Sequence, residues 1–469
     1  MVAQAAKKEP GSENMILRQM VFGGGGSVLF WLFVRHAGAS GAARLLALGA
    51  FAVLAAFILW NILKRHYATC CCGVAYLAAV EPAFRGYAKG LPYLSAEYLF
   101  ILVAGLAVLQ RRAPLRLPTL LLSLYVLLEL SGAGVTAKGD EGRWMMVMTT
   151  ARLSLFLLIQ RAYLTPTEML RVLASYVTGT LAMAAMGLQG AFTAGEQWTA
   201  QSNSEAAGGL GPNQVAGLLA LGAFTALFFA DLERRPWARL LYLGLAGGQV
   251  LSAVLTFTRG GSVILAIGLV LYVSILLACH RVSVAVIGMA VIGAAVALIA
   301  IQVTNQMVIE RFRDTEMSGR EGIWSLGLRI FWEHPAFGVG TGNFYEASEG
   351  HLAAYHGRVG THNEIIRALS EHGLIGASIW FAFIFSCLGY CWSEKRGLAR
   401  AVSVSWLLMA VAFECHSGLK LSMSMLFMAL VVEGFPCRYA GTASTVNERI
   451  RRRRDRWTRQ RLVRQMADG

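Results

Sequence analysis

Long apolar runs, repeated along most of the chain, constrain this sequence more than any other feature. A helix needs about 17–25 apolar residues to cross roughly 30 Å of hydrocarbon. Runs of that kind lie near 20–34, 43–63, 93–109, 115–131, 144–163 and 168–191. Four more follow near 211–230, 237–257, 262–279 and 281–303, then three near 373–392, 399–416 and 418–435, with a weaker one near 67–80. Lipid offers backbone amides no partner, so such runs have to be helical. The expectation is an all-α fold, a polytopic transmembrane helix bundle of about 12–14 spans with one long helical loop on its outer, periplasmic side. Composition closes off the alternatives. With 56% hydrophobic and 15% charged residues, against about 25% charged in soluble chains, the sequence cannot be a soluble enzyme, a disulfide scaffold or a disordered chain.

The formal charge of +15 is mostly a topology signal. With the N-terminus in the cytoplasm, the short connections and N-terminal segment carry seventeen Lys and Arg inside against eight outside, the bias of the positive-inside rule. The tail adds ten Arg between 438 and 464, which reads as an anchor attracted to anionic lipid rather than a nucleic-acid site. Membrane lipids are therefore expected partners and nucleic acid is not. No small-residue cleavage site follows the first apolar run, so no signal peptide is expected. The chain divides into a cytoplasmic N-terminus (1–19), spans up to 303, a loop over 304–372, three last spans (373–435) and a basic cytoplasmic tail (436–469). Of eight cysteines, Cys70, Cys71, Cys72, Cys279, Cys387, Cys391 and Cys415 lie in or beside spans and Cys437 just past the last. Small packing residues are a better reading of the Cys70 to Cys72 triplet than palmitoylation sites, and none of the eight is placed for an extracytoplasmic disulfide.

Polar chemistry collects in the loop. Ile323, Leu326, Ile330 and Phe331 recur at helical spacing, which predicts an amphipathic helix over 320–333 lying on the outer membrane surface. The sequence THNE at 361–364 matches a capping box in which Thr361 and Glu364 exchange hydrogen bonds. That puts His362 on the first turn of a helix running to Gly373. A neutral imidazole beside a helix N-terminus suits a general base next to an anion; a histidine there can equally serve only to brace the loop. His334, His351, His356 and His372 share the segment. A second concentration is Thr256-Phe257-Thr258-Arg259-Gly260-Gly261. Arg259 is either a planar clamp for phosphate or a side chain snorkelling to headgroups, and the paired glycines would let a ligand approach the backbone. Arg152 lies well inside its span, a candidate for lining an internal polar cavity. Asn213, in Gly-Pro-Asn-Gln at 211–214, either caps a helix or binds sugar. Gly338-Val-Gly-Thr-Gly342 lacks the strand before and the Gly-Lys-Ser/Thr after that a nucleotide loop requires, and reads as a tight turn. No His, Cys, Asp and Glu set has metal-ligand spacing, so neither metal nor cofactor is expected.

Five segments together resemble the O-antigen ligase/polymerase superfamily of bacterial envelope glycosyltransferases: GPNQVAG at 211–217, LTFTRGGSVILA at 255–266, SGREGIW at 318–324, EHPAFGVGTGNF at 333–344 and THNEIIRALSEHGLIG at 361–376. They occur in the family's order and cover roughly 211–435. The resemblance implies a metal-independent, inverting glycosyl transfer at the periplasmic face of the bacterial inner membrane. The donor would be an undecaprenyl diphosphate-linked glycan and the acceptor lipid A–core, for a ligase, or another lipid-linked glycan, for a polymerase. Arg259 matches the family's diphosphate-holding arginine and His362 its H-N histidine, with Asn363 beside it as a substrate-binding candidate and Arg320 as a second phosphate or sugar ligand. One departure stands out. The family carries an arginine in the outer loop before the GPNQ span, yet residues 172–233 contain no Lys or Arg; Arg143, Arg152 or Arg320 takes that role, or the donor differs. A transporter of lipid-linked glycans is the rival reading, and it requires repeated halves and midplane ionisable groups. A pseudoenzyme that scaffolds envelope assembly is the third.

Overall fold

The computed structural model describes residues 12–38, 40–136, 140–193, 202–279, 284–313, 320–349, 360–393, 397–417 and 421–433. Among these there is no strand, only an isolated bridge between Lys89 and Leu91. The chain begins with α1 (Ser12–Arg18), a π-turn (Gln19–Gly23) and α2 (Gly24–His36), then α3 (Gly41–Leu63), α4 (Tyr67–Tyr87), α5 (Ser95–Gln110) and α6 (Leu117–Thr136). Next come α7 (Asp140–Ala162), α8 (Pro166–Thr193), α9 (Pro212–Leu232), α10 (Pro236–Leu255), α11 (Arg259–Ala278) and α12 (Val284–Val303). The loop contributes α13 (Met307–Arg313), α14 (Arg320–Glu333) and α15 (Phe344–Ala347), and α16 (Glu364–Ser393), α17 (Leu398–Ser417) and α18 (Met423–Val432) complete the bundle. The all-α polytopic bundle expected from hydropathy is the observed fold.

Among the described residues ten helices, counting Asn14–His36 as one, are long and apolar enough to cross a membrane. The end of α12 and α13 form a pair bent by 110°, and α5, the first part of α6, and α18 are shorter apolar helices. Every apolar run of the sequence coincides with one of these. Their surroundings differ. In α8 and α9, 83% and 89% of the apolar window is buried, against 22% in α3, which leaves Leu45, Val53, Phe57 and Trp60 facing outward. The inner helices approach closely through small residues, the usual device where no hydrophobic drive separates helix from lipid. On α8, a Cβ at Gly179 would stand 2.6 Å from Cβ of Ala79 on α4.

The two ends of the bundle carry different chemistry. At one end, Arg111 donates to the carbonyl of Ala162 (3.5 Å) and stacks over Tyr163, Arg116 pairs with Glu433 (3.3 Å), and Arg235 pairs with Glu233 (2.8 Å). These are among the cations that the charge bias assigns to one side. At the other end, hereafter the loop end, Arg311 on α13 donates to the carbonyl of Phe257 (3.2 Å) and Thr341 to that of Glu129 (2.8 Å). Cys70 and Cys71 are fully buried between helices, as packing residues would be. Gly179→Val is expected to cost about 1–3 kcal/mol through overpacking, read as a lower thermal midpoint of the detergent-solubilised protein. An unchanged midpoint would mean that α4 and α8 do not touch there.

Candidate functional site

At the loop end the turn between α10 and α11 is held on three sides. Phe257 takes up a left-handed conformation (φ 55°), unusual for a residue with a side chain. The carbonyl of Thr256 accepts from the amide of Asn203 (2.9 Å), and that of Phe257 from Arg311. Arg259 is the first residue of α11, among the free N–H groups of the helix N-terminus. The two glycines that follow are not openings for a ligand, as the sequence suggested. A side chain at Gly260 would overlap the imidazole of His416, and one at Gly261 would stand 2.6 Å from Ala216 of α9. Both gaps are filled by the protein, which packs the α11 start against the GPNQVAG helix on one side and the end of α17 on the other.

Arg320, the first residue of α14, reaches the same spot. Its Nη1 donates to Nδ1 of His416 at 3.0 Å and to the His416 carbonyl at 3.3 Å. The apolar face of α14 does not lie on lipid. Ile323, Leu326 and Ile330 are buried with Phe344, and Gly327 lies against Ile366 of α16; helix and bundle consume the face that the membrane surface was expected to take. Trp332 on the opposite side remains 75% exposed.

His362 lies just before α16 rather than on its first turn. The expected capping box is absent because Asn363, not Thr361, caps the helix: its Oδ1 accepts from the amides of Ile365 (2.9 Å) and Ile366 (3.4 Å). His362 precedes the cap with φ 49°, in the left-handed region like Phe257, Asn305 and Gln306, and is held there at a cost of order 1–3 kcal/mol. The helix is interrupted at Gly373 (φ 61°, ψ −156°) and resumes at once. The Gly338–Gly342 segment is a tight turn, with Gly338, Gly340 and Gly342 all at positive φ, and it seals this break. Amides of Val339 and Gly340 donate to the carbonyls of Ser370 (2.9 Å) and Glu371 (2.8 Å), while carbonyls of Pro335 and Ala336 accept from Leu374 (2.8 Å) and Ile375 (3.3 Å). One loop thus satisfies groups at both cut ends of the helix.

Beneath His362 the side chain of Glu364, which was expected to reach back to Thr361, turns inward instead. Its Oε1 and Oε2 accept from Arg367 (2.6 and 3.1 Å), and Arg152 of α7 stands 4.0 Å away. Arg367 also binds Glu129 of α6, Glu371 (3.1 Å) and the hydroxyl of Tyr125 (3.1 Å). Arg152 pairs with Glu414 of α17 (2.7 Å), which also accepts from Ser424. Nε2 of His372 lies 3.6 Å from Glu129. Among the described residues this network joins two guanidinium groups to four carboxylates, all about 1–2% exposed.

Arg152 therefore sits in a packed ion pair, not on a cavity wall. Arg143 is exposed in the first turn of α7. Asn213 is half-buried in the first turn of α9, where Gly211 is the N-cap and no side chain caps. His351 and His356 lie outside the described residues, and His334 follows the last residue of α14. Glu129, Glu414, Arg367 and His416 escaped the sequence reading. A lone acid in each of the apolar runs of α6 and α17 was the available signal, since ionisable residues inside spans usually face partners. Arg35 was missed too. From α2 it pairs with Glu205 (3.2 Å) in the segment before α9, so a cation does reach that loop, supplied from elsewhere in the chain.

Residues 241–381 match the family model for O-antigen ligase. Over that segment the chain is similar to the O-antigen ligase superfamily, as the sequence motifs led one to expect. No curated protein matches it. The match and the apolar helices together support a multi-pass membrane protein of ligase or polymerase type, glycosyltransferase-like, with lipid-linked glycans as the class of substrate. The O-antigen ligase segment contains Arg259, Arg320, His362, Glu364 and Arg367. Its partners Glu129, Arg152, Glu414 and His416 come from outside it. Arg367→Met leaves several buried carboxylates without their shared cation and is expected to destabilise the protein by about 3–5 kcal/mol, measured by thermal or denaturant unfolding in detergent. Adding Glu129→Gln and Glu364→Gln should return part of that loss; no recovery would mean that charge pairing is not what Arg367 supplies.

Proposed function

We propose that this protein transfers a glycan from a polyprenyl diphosphate, the undecaprenyl form being the expected carrier, to a sugar hydroxyl of lipid A–core, as an O-antigen ligase. The loop end faces the periplasm in this reading, with the arginine-rich opposite end in the cytoplasm and the chain in the bacterial inner membrane. The observation that carries it is the convergence of the α11 start, with Arg259, and the α14 start, with Arg320, on His416. The Arg320 guanidinium and the helix N-terminus that carries Arg259, meeting at one residue, suit a doubly charged leaving group. His362, in a strained turn at the same end, is the candidate base.

In the reaction the acceptor oxygen attacks the anomeric carbon from the face opposite the diphosphate. The bond from that carbon to the diphosphate oxygen breaks, the electron pair and negative charge pass to the lipid diphosphate, and the acceptor's proton passes to a nitrogen of His362. The configuration inverts. Arg259 and Arg320 offset the charge developing on the leaving group, the place where fixed electrostatics count most, so the scheme requires no metal ion. Asn363 and Asn213 flank the site as candidate sugar ligands. Arg35 is the candidate for the outer-loop cation that residues 172–233 lack, and Arg152 and Arg143 are thereby less direct candidates.

Purified protein in nanodiscs, given an undecaprenyl diphosphate-linked oligosaccharide and lipid A–core, is expected to form glycosylated lipid A–core. His362→Ala should lower turnover about 10²–10⁴-fold, the usual contribution of a general base, and Arg259→Ala should lower it at least as steeply as loss of one electrostatic donor, roughly 10²-fold. Wild-type rates in both variants would overturn the mechanism. Extension of the lipid-linked oligosaccharide in place of transfer to lipid A–core would make the protein a polymerase with the same chemistry.

A further inference from the structure

Resting on that reading, we propose that His416 is a positioning residue for the diphosphate site, setting Arg320 in place beside Arg259. An arginine guanidinium has donors only, so the 3.0 Å contact between its Nη1 and Nδ1 of His416 makes Nδ1 the acceptor. The ring is then neutral, with its proton on Nε2. The same Nη1 donates to the carbonyl of His416 in the last turn of α17, so Arg320 also caps a helix C-terminus, where a cation is favoured. The opposite edge of the ring rests on Gly260, and Nε2 is the atom nearest to the place a side chain would occupy there.

The imidazole is thus a spacer between Arg320 and the first turn of α11. It fixes Arg320, carried on the loop helix α14, relative to the backbone that carries Arg259. Its placement is braced from below, because Glu414, two residues earlier on α17, is tied to Arg152 and Ser424. A neutral ring is what the position needs. An imidazolium would lose the Arg320 bond and place a second positive charge 3.0 Å from the Arg320 guanidinium. Gly260 is required for the same reason, since any side chain there would displace the ring.

The test compares His416→Ala, His416→Asn and His416→Gln in the full-length protein in nanodiscs, with binding of undecaprenyl diphosphate and donor KM and kcat as readouts. The Oδ1 of asparagine stands close to where Nδ1 was, whereas the glutamine oxygen falls nearer Nε2. His416→Ala is expected to weaken undecaprenyl diphosphate binding about tenfold, the loss of one charge-assisted hydrogen bond. His416→Asn should recover most of it and His416→Gln should not. In an Arg320→Ala background, removing His416 should add nothing further, as for two residues acting through one contact. Wild-type binding in His416→Ala, equal rescue by asparagine and glutamine, or full additivity with Arg320→Ala would each overturn the proposal. Should His416→Ala not fold, the asparagine–glutamine contrast decides alone. Arg259→Ala separates the levels: if it weakens binding while the His416 series does not, only the role of His416 fails, and if Arg259→Ala binds as wild type, the diphosphate site itself is wrong.

Discussion

A guanidinium group inside a helix bundle has nowhere to shed its charge, and the loop end of this protein is organised around that fact. Arg367 is about 2% exposed and meets carboxylates from its own helix and from α6, while Arg152 meets one on α17 and stands near another on α16. Breaking such a pair costs far more than making it gains, so α6, α7, α16 and α17 cannot shift independently without stranding a charge. The network confers a fixed register on helices whose apolar faces would otherwise slide past one another. The site residues nearer the surface, His362 and His416, each lie two positions from a member of it, Glu364 and Glu414.

Above that base, the candidate site is assembled from helix ends. Arg259 opens α11, Arg320 opens α14, His416 stands in the last turn of α17, and Asn363 caps α16 immediately after His362. Helix termini carry unsatisfied N–H or C=O groups and half-charges, so bringing several together concentrates polar groups without placing isolated charges in lipid. This explains why short motifs far apart in the chain form one locality. Each marks the first or last turn of a helix, and the bundle's alternation returns those turns to the same end.

The helical spans were legible because hydropathy over twenty residues is a strong, local signal; α3 and α9 could hardly have been read otherwise. Arg259 and His362 stood out because their neighbours are distinctive, and the glycines of 338–342 announced a turn. What the sequence hid was partnership. Nothing local says that Glu364 turns inward to Arg367 instead of back to Thr361, or that the helix 320–333 spends its apolar face on Ile366 rather than on lipid. A capping motif and an amphipathic pattern each state that a group needs a partner, and tertiary packing chooses which. Glu129, Glu414 and His416 belong to the same class, being single polar residues in apolar surroundings whose meaning lies in α16 and α14.

The loop over Pro335–Gly340 bridges the cut helix with main-chain groups alone. Such a bridge is indifferent to most of the side chains it carries. Only Gly338, Gly340 and Gly373, all at positive φ, are tied to their identity, while an outward residue such as Phe337, 66% exposed, can be exchanged with the ion pairs below undisturbed. The surface directly over the most constrained part of the bundle is therefore among the freest to diverge, so that drift in a few loop side chains can change what this end presents while the ion pairs beneath stay as they are.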